Sequence, residues 1–172
     1  YATTYGCIGA FSAKIEALEM AALWATGRMW LRVPETMKIV LKGHLNRGVC
    51  AKDIILNLIR DIPVIDVDYK AIEFAGPAVQ AMSMSDRSIL TSMAAEMKAK
   101  SAIIPFDEMV SRYMKRITKM KFWPVMPDPD AAYCHEIEFD ISYLTPQIAC
   151  HAEANNARPI EEMIGRKIDQ VI

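Results

Sequence analysis

The sequence predicts an α/β fold in which helices and short strands alternate in packed layers. Three observations carry this. Apolar residues switch repeatedly between a period near 3.6 and a period of 2, the helical stretches stop at glycine or proline, and no internal repeat or low-complexity tract interrupts the alternation. With 172 residues, 52% hydrophobic and 24% charged, the chain suffices for one substantial core or for two small lobes sharing an interface. That composition excludes a disordered or fibrous chain.

Taken in order, Ala10 to Thr26 carries Phe11, Ile15, Leu18, Ala22 and Ala25 at helical spacing before Gly27, which predicts a buried or half-buried helix. Met37 to Leu41 alternates with Lys38 and Lys42, a strand with one wetter face. Ile54, Ile55, Leu58, Ile59 and Ile62 form the stripe of an amphipathic helix over Ala51 to Ile62, stopped by Pro63. Tyr69 to Phe74 reads as a strand ending at Gly76-Pro77. Asp86 to Lys98 reads as a helix with Ser85 or Asp86 as its N-cap, and Ala102 to Ile104 as a strand. Asp107 to Thr118 is helical, with Val110, Tyr113, Met114 and Ile117 on one face and Asp107 and Glu108 at the positive end of its dipole. Glu136 to Ile141 alternates acid and apolar residues strictly, Ile160 to Ile164 is a helical turn, and Lys167 to Ile172 is a final strand. The run Trp123-Pro124-Val125-Met126-Pro127-Asp128-Pro129-Asp130 suits neither regular structure. The expected organisation is therefore an α/β lobe over 1–122, a proline-rich linker over 123–130 and a shorter α/β continuation over 131–172.

Charge and cysteine usage narrow the function. Twenty Lys and Arg against 21 Asp and Glu give a formal charge of -1, so no global field favours nucleic acid or an anionic membrane, and an anionic substrate must be held locally. Apolar runs such as Ala21 to Ala25 fall far short of the roughly 20 residues a membrane span needs. Tyr1-Ala2-Thr3-Thr4 has neither an initiator Met nor a signal pattern, as expected of a piece of a longer polypeptide. Cys7, Cys50, Cys134 and Cys150 are too scattered for a zinc ribbon or a disulfide scaffold, and four free thiols suit a reducing cytoplasm. His44, His135 and His151 have no paired metal-ligand spacing.

Read as residues alone, the candidate sites are few, and each has a plain structural alternative. Gly6 and Gly9 precede the first predicted helix, where backbone amides would face an anion or merely permit a tight turn. Glu73 lies between Ile72 and Phe74 in an apolar strand; it is either a general acid or base or a side chain on the wet face. Glu96 is either buried and paired or a helix-flank partner of Lys100. Lys115, Arg116, Lys119 and Lys121 read as a solvated helix end.

A family likeness adds what this arithmetic does not supply. Thr4-Tyr5-Gly6, Gly9-Ala10-Phe11-Ser12, Ala25-Thr26-Gly27 and Leu31-Arg32-Val33-Pro34-Glu35-Thr36 are followed in order by Lys42-Gly43, Ala51-Lys52-Asp53-Ile54-Ile55-Leu56 and Ala71-Ile72-Glu73-Phe74-Ala75-Gly76. Ala81-Met82-Ser83-Met84, Pro105-Phe106-Asp107-Glu108, Pro146-Gln147 and Lys167-Ile168-Asp169-Gln170-Val171 complete the series. Over nearly its whole length the chain resembles the central part of the large subunit in the isopropylmalate isomerase and homoaconitase group of the aconitase superfamily.

The resemblance implies a layered aconitase-type α/β/α fold and a cytoplasmic hydro-lyase. Such an enzyme isomerises a malate-type hydroxy acid, foremost 3-isopropylmalate, by dehydration and rehydration. It implies a 4Fe-4S cluster in the complete enzyme, whose free iron acts as a Lewis acid, and a small swivelling partner subunit. It implies too that Glu73 is an active-site carboxylate and that Tyr1 occupies the position of the family's motif histidine. The three cluster cysteines are expected outside this stretch, the first in a Ser-Cys-Thr-Asn segment just after Ile172, so no cofactor or metal ligand is expected within the chain. Ser92 stands where the family usually has Asn, Lys98 where it has Gly, and Ile62-Pro63 where it has Ile-Gly. The alternatives are a homoaconitase or dimethylmalate-type dehydratase, or a non-catalytic scaffold that keeps the fold without the cluster.

Overall fold

The computed structural model describes residues 3–150 and 156–167. Its elements are α1 (Ala17–Thr26), β1 (Thr36–Lys42), α2 (Ala51–Asp61), α3 (Val64–Val67), β2 (Ala71–Ala75), α4 (Pro77–Ala81), α5 (Met84–Met93), β3 (Ser101–Ile103), α6 (Glu108–Ile117), β4 (His135–Asp140), β5 (Gln147–Ala149) and β6 (Ala157–Pro159). Four strands form one sheet in the order β3-β2-β1-β4, every neighbouring pair parallel, while β5 and β6 pair antiparallel by themselves. After residues 118–134, which contain neither helix nor strand, the chain returns to the same sheet, and β4 pairs with the free edge of β1.

Side-chain alternation gives this sheet two unlike faces. Met37, Ile39 and Leu41 of β1 stand in register with Ile72 and Phe74 of β2, and these five side chains meet α2 and α5 in the core with Ile54, Ile55, Leu58 and Leu90. On the opposite face stand Lys38, Val40 and Lys42, beside Glu73 and Ala75 on one flank and Glu136 and Glu138 on the other. None of these seven is buried.

The predicted stripe of α2 is buried throughout, and so are Asp53, Leu56 and Asn57 on its other side. The antiparallel pair β5–β6 explains this. It packs on the outer side of α2, where the Gln147 amide donates to Asp53 Oδ1 at 2.7 Å. Asp53 also accepts from the Cys50 amide at 2.7 Å, so one carboxylate caps the helix and anchors the hairpin.

Several boundaries differ from expectation for local reasons. The cap of α5 is Ser83 rather than Ser85 or Asp86. Its Oγ accepts from the Asp86 amide at 3.2 Å and Asp86 accepts from the Ser83 amide in return, so the helix starts two residues earlier than periodicity suggests. It ends at Met93, and Ala94–Met97 tighten into a 3-10 turn closed by Lys98 at φ +67°. That left-handed backbone falls at the position where the resemblance implies glycine. Gly76, at φ +104°, links β2 to α4 beside Leu41, whose backbone a Cβ would overlap. On α6 only Val110 is buried, while Tyr113 and Ile117 are exposed, so its expected apolar face is largely unpacked.

The largest departure is at the start. Helix α1 spans Ala17–Thr26 rather than Ala10 to Thr26, and none of its residues is buried. Thr4–Ile8 form a 3-10 turn instead, laid along β3: Ile104 donates to the Gly6 carbonyl at 2.9 Å, and a Cβ on Gly6 would overlap the Ala102 carbonyl oxygen. Gly6 thus serves close packing, and no helix begins beside Gly6 or Gly9 to hold an anion. The strand expected at Lys167 to Ile172 falls, but for Lys167, outside the described residues.

Candidate functional site

Glu73 lies in the middle of β2, not at its end, with Lys38 of β1 and Ile103 of β3 as register neighbours. It is half-buried on the open face of the sheet. Tyr133, in the segment leading to β4, donates its hydroxyl to Glu73 Oε1 at 3.0 Å. Lys38 Nζ sits 4.7 Å from the centre of the Tyr133 ring and 3.8 Å from Glu136 Oε1. Burial first, then the Glu73 carboxylate that accepts its hydrogen bond, push the Tyr133 hydroxyl up to about 12. At neutral pH Tyr133 is therefore a fixed donor and Glu73 its acceptor. Sequence spacing had no means of joining residues 60 positions apart; only the return of β4 to the edge of β1 brings Tyr133 over this face.

Tyr1 lies outside the described residues, which begin at Thr3. Thr3 is fully buried, its Oγ1 donates to the Thr91 carbonyl at 2.6 Å, and Thr91 Oγ1 donates to the Thr4 carbonyl at 3.0 Å. Thr3 and Thr4 are thereby stitched to the C-terminal end of α5, which carries Ser92. Glu96 follows on the 3-10 turn after α5 and is exposed; Lys100, its expected partner, instead donates to the Lys14 carbonyl at 3.1 Å.

At the carboxyl ends of β2 and β3, a cavity of about 180 Å³ is lined by Phe74, Gly76, Gln80, Ile104, Phe106 and Asp107, among others. Behind it lies Arg87, fully buried, which donates to Asp107 Oδ2 at 2.6 Å and to the Gln80 carbonyl at 3.2 Å. Burial works to raise the Asp107 carboxyl, but the Arg87 hydrogen bond and the amides of Val110 and Met109 outweigh it, so its pKa lies below the ordinary value. The Val110 amide donates to Oδ1 and makes Asp107 the cap of α6, while Oδ2 accepts from Arg87, so both oxygens are in structural use. Glu73 does not line this cavity.

Among the described residues, no three of His, Cys, Asp and Glu gather into a group that could hold a metal ion. The four thiols are free and dispersed. Cys7 is buried, which pushes its thiol up, Cys50 caps α2, Cys134 precedes β4, and Cys150 Sγ lies 3.8 Å from Met163 Sδ. These positions do not fit an iron-sulfur cluster. Among the described residues no helix is long and apolar enough to cross a membrane.

Fold and side chains together define a layered parallel α/β protein with a carboxylate, phenol and ammonium network on the open face of its sheet. Comparison with known proteins is more specific: the chain belongs to the aconitase family (aconitate hydratase), whose profile matches residues 1–171. It is 44% identical over 168 residues to the 3-isopropylmalate dehydratase large subunit 1 of Methanopyrus kandleri, covering 98% of this chain and 40% of that protein. It is 39% identical over 171 residues to the probable methanogen homoaconitase large subunit of Methanosarcina mazei, covering 99% and 44%. A third relative, the 3-isopropylmalate dehydratase large subunit of Clostridium kluyveri, is 41% identical over 169 residues, covering 98% and 40%. The chain thus spans about two fifths of the length of these curated relatives.

Proposed function

We propose that this chain is the central part of a hydro-lyase large subunit whose complete form isomerises 3-isopropylmalate. A proton leaves one carbon and hydroxide its neighbour, giving an alkene and water, and rehydration returns them to exchanged positions. The observation that carries the reading is the 44% identity over 98% of the chain to a relative of that name. A homoaconitase reading has its own support in the 39% identity to the methanogen relative. In either case the 4Fe-4S cluster belongs to the complete protein, with ligands outside the residues described here. The small swivelling subunit is its partner and the cytoplasm its compartment.

Within the chain, Glu73 is the carboxylate we assign to the site, supported by its half-buried position and its fixed Tyr133 donor. Tyr1 joins it by register with the family histidine. A second carboxylate, Glu96, is favoured by one specific observation: Thr3, two residues beyond the histidine position, is bonded to Thr91 at the end of α5, and Glu96 extends from that same end.

The test is alkene formation from 3-isopropylmalate, homocitrate and citrate by the complete polypeptide with its small subunit. Activity on 3-isopropylmalate above the other two is expected, and none on any of them would refute the hydro-lyase reading. Glu73→Gln and Glu96→Gln, compared at equal iron and sulfide content, assign the carboxylate. A fall of about a hundredfold or more marks an acid-base group, and near-normal turnover in Glu73→Gln removes that residue from the site.

A further inference from the structure

Helix α1 is apolar nearly all round. Of Ala17–Thr26 only Glu19 is charged, and with about 3.6 residues per turn it shares one narrow seam with Thr26, while Leu23, Met20 and Trp24 line one side, Leu18 stands across from them and alanines fill the remainder. Leu18 is 85% exposed and Trp24 81%. The arm that follows is similar, with Trp30 81% and Val33 83% exposed. A ten-residue helix in water is marginal alone, and one that is apolar on every side is stable when surrounded rather than when laid on a surface.

Both ends of this segment are nevertheless tied to the sheet. Before the helix, Ser101 Oγ donates to the Ser12 carbonyl at 2.8 Å and Lys100 Nζ to the Lys14 carbonyl at 3.1 Å. After it, the Tyr69 hydroxyl donates to the Arg32 carbonyl at 3.2 Å, and the Tyr69 ring has the Arg32 guanidinium 5.9 Å and Lys100 Nζ 5.4 Å from its centre. The chain leaves the domain at Lys14 and re-enters at Arg32; between them Ile15, Met20 and Leu23 are half-buried and every other residue is exposed.

We propose that α1 and the arm from Arg28 to Val33 are an interior element of a second folding unit, built with polypeptide of the same large subunit outside residues 1–172. A second copy or a partner subunit docking on a surface covers one side of a helix. A helix apolar on nearly all sides calls for neighbours all round it, as within a layered domain. The polypeptide to supply them is available in the family, because this chain amounts to only 40% of the Methanopyrus relative. The proposal concerns packing and stands whichever hydroxy acid is the substrate.

Hydrogen exchange read by mass spectrometry tests it on the unmutated complete polypeptide, at two protein concentrations and with or without the small subunit, against the 172-residue chain. Amides of Ala21 to Thr26 should exchange at least about a hundredfold more slowly in the complete polypeptide, as expected of a packed rather than an open helix. That protection should be independent of concentration and present without the small subunit. Fast exchange in the complete polypeptide overturns the proposal. Protection only at the higher concentration overturns it in favour of a second copy, and protection only with the small subunit in favour of that partner. Trp24→Asp adds an independent reading: it should lower the unfolding midpoint of the complete polypeptide and leave that of the 172-residue chain unmoved, and equal effects in both would contradict the assignment.

Discussion

Helices α1 and α2 are of nearly equal length and both rich in apolar residues, yet one is enclosed and the other bare. Helix α2 has its apolar stripe on the sheet and the β5–β6 pair on its back, and within the stripe Ile54, Ile55 and Leu58 are at most 1% exposed. Helix α1 has no buried residue at all. Periodicity reports what a segment is able to bury, while only the rest of the chain decides whether it does. The sheet repeats the lesson, since one face is closed by α2 and α5 and the other stays open around Glu73 and Tyr133.

The sharpest way to break this contrast is a matched pair of truncations in the 172-residue chain. Leu58→Ala should cost about 2 to 5 kcal/mol, as a buried large-to-small change does, and Leu18→Ala no more than about 0.5 kcal/mol, as at an exposed site. Chemical denaturation measures both, and equal losses would dissolve the contrast. Next in size is Asp107→Asn on the closed side. It weakens the carboxylate contact of the buried Arg87 and should cost about 2 kcal/mol, the order expected for a hydrogen bond to a charged group. Because the Asp107 carboxyl is depressed when folded, its contribution is present above the ordinary value of 3.8 and is lost as pH falls through the lower folded value. Acid titration of stability should therefore be shallower in the Asn variant at that end.

A smaller gain is expected at the junction after α5. Lys98 holds a left-handed backbone at φ +67°, so Lys98→Gly should stabilise the chain by about 0.5 to 1 kcal/mol, net of the glycine's own entropy. A loss in thermal or chemical unfolding would show that the Lys98 side chain matters more than its backbone. On the open face the effect is spectroscopic. One tyrosine should titrate near 12 by ultraviolet absorption, vanish in Tyr133→Phe and move down toward 10 in Glu73→Gln. With a folded pKa above the unfolded one, any stability Tyr133 contributes is fully present below pH 10 and lost as pH rises through about 12.

Much of the fold was legible. The strands at Met37 to Leu41 and Glu136 to Ile141, the α2 stripe and the helix at Asp107 to Thr118 all announce themselves through period and punctuation, and the structure has an element at each. What was not legible depends on contacts distant in sequence or on short turns. The cap at Ser83 competes with two equally good residues beside it. Helices α3 and α4 are too short to show a period, and β5 and β6 matter only because they meet across α2. The exposure of α1 within these residues is not legible, because its apolar residues fit a helix equally well whether or not anything covers them. For the site, the resemblance singled out Glu73, but its partner Tyr133 carried no signal, being an aromatic in an irregular segment 60 residues away. The proximity of Thr3 to the end of α5 was likewise invisible until the fold closed.

If these 172 residues are a folded part of the proposed hydro-lyase, its chemistry needs the rest of the protein. The measurement that tests it most directly is anaerobic reconstitution of this chain alone with iron and sulfide. Iron and sulfide content and visible absorption are read after desalting, followed by the alkene assay on 3-isopropylmalate, homocitrate and citrate. The account predicts a folded chain with neither cluster nor turnover, because Cys7, Cys50, Cys134 and Cys150 occupy separate parts of the fold. A stoichiometric cluster, or alkene formation above the metal-free blank, would contradict it and give the chain an active site of its own.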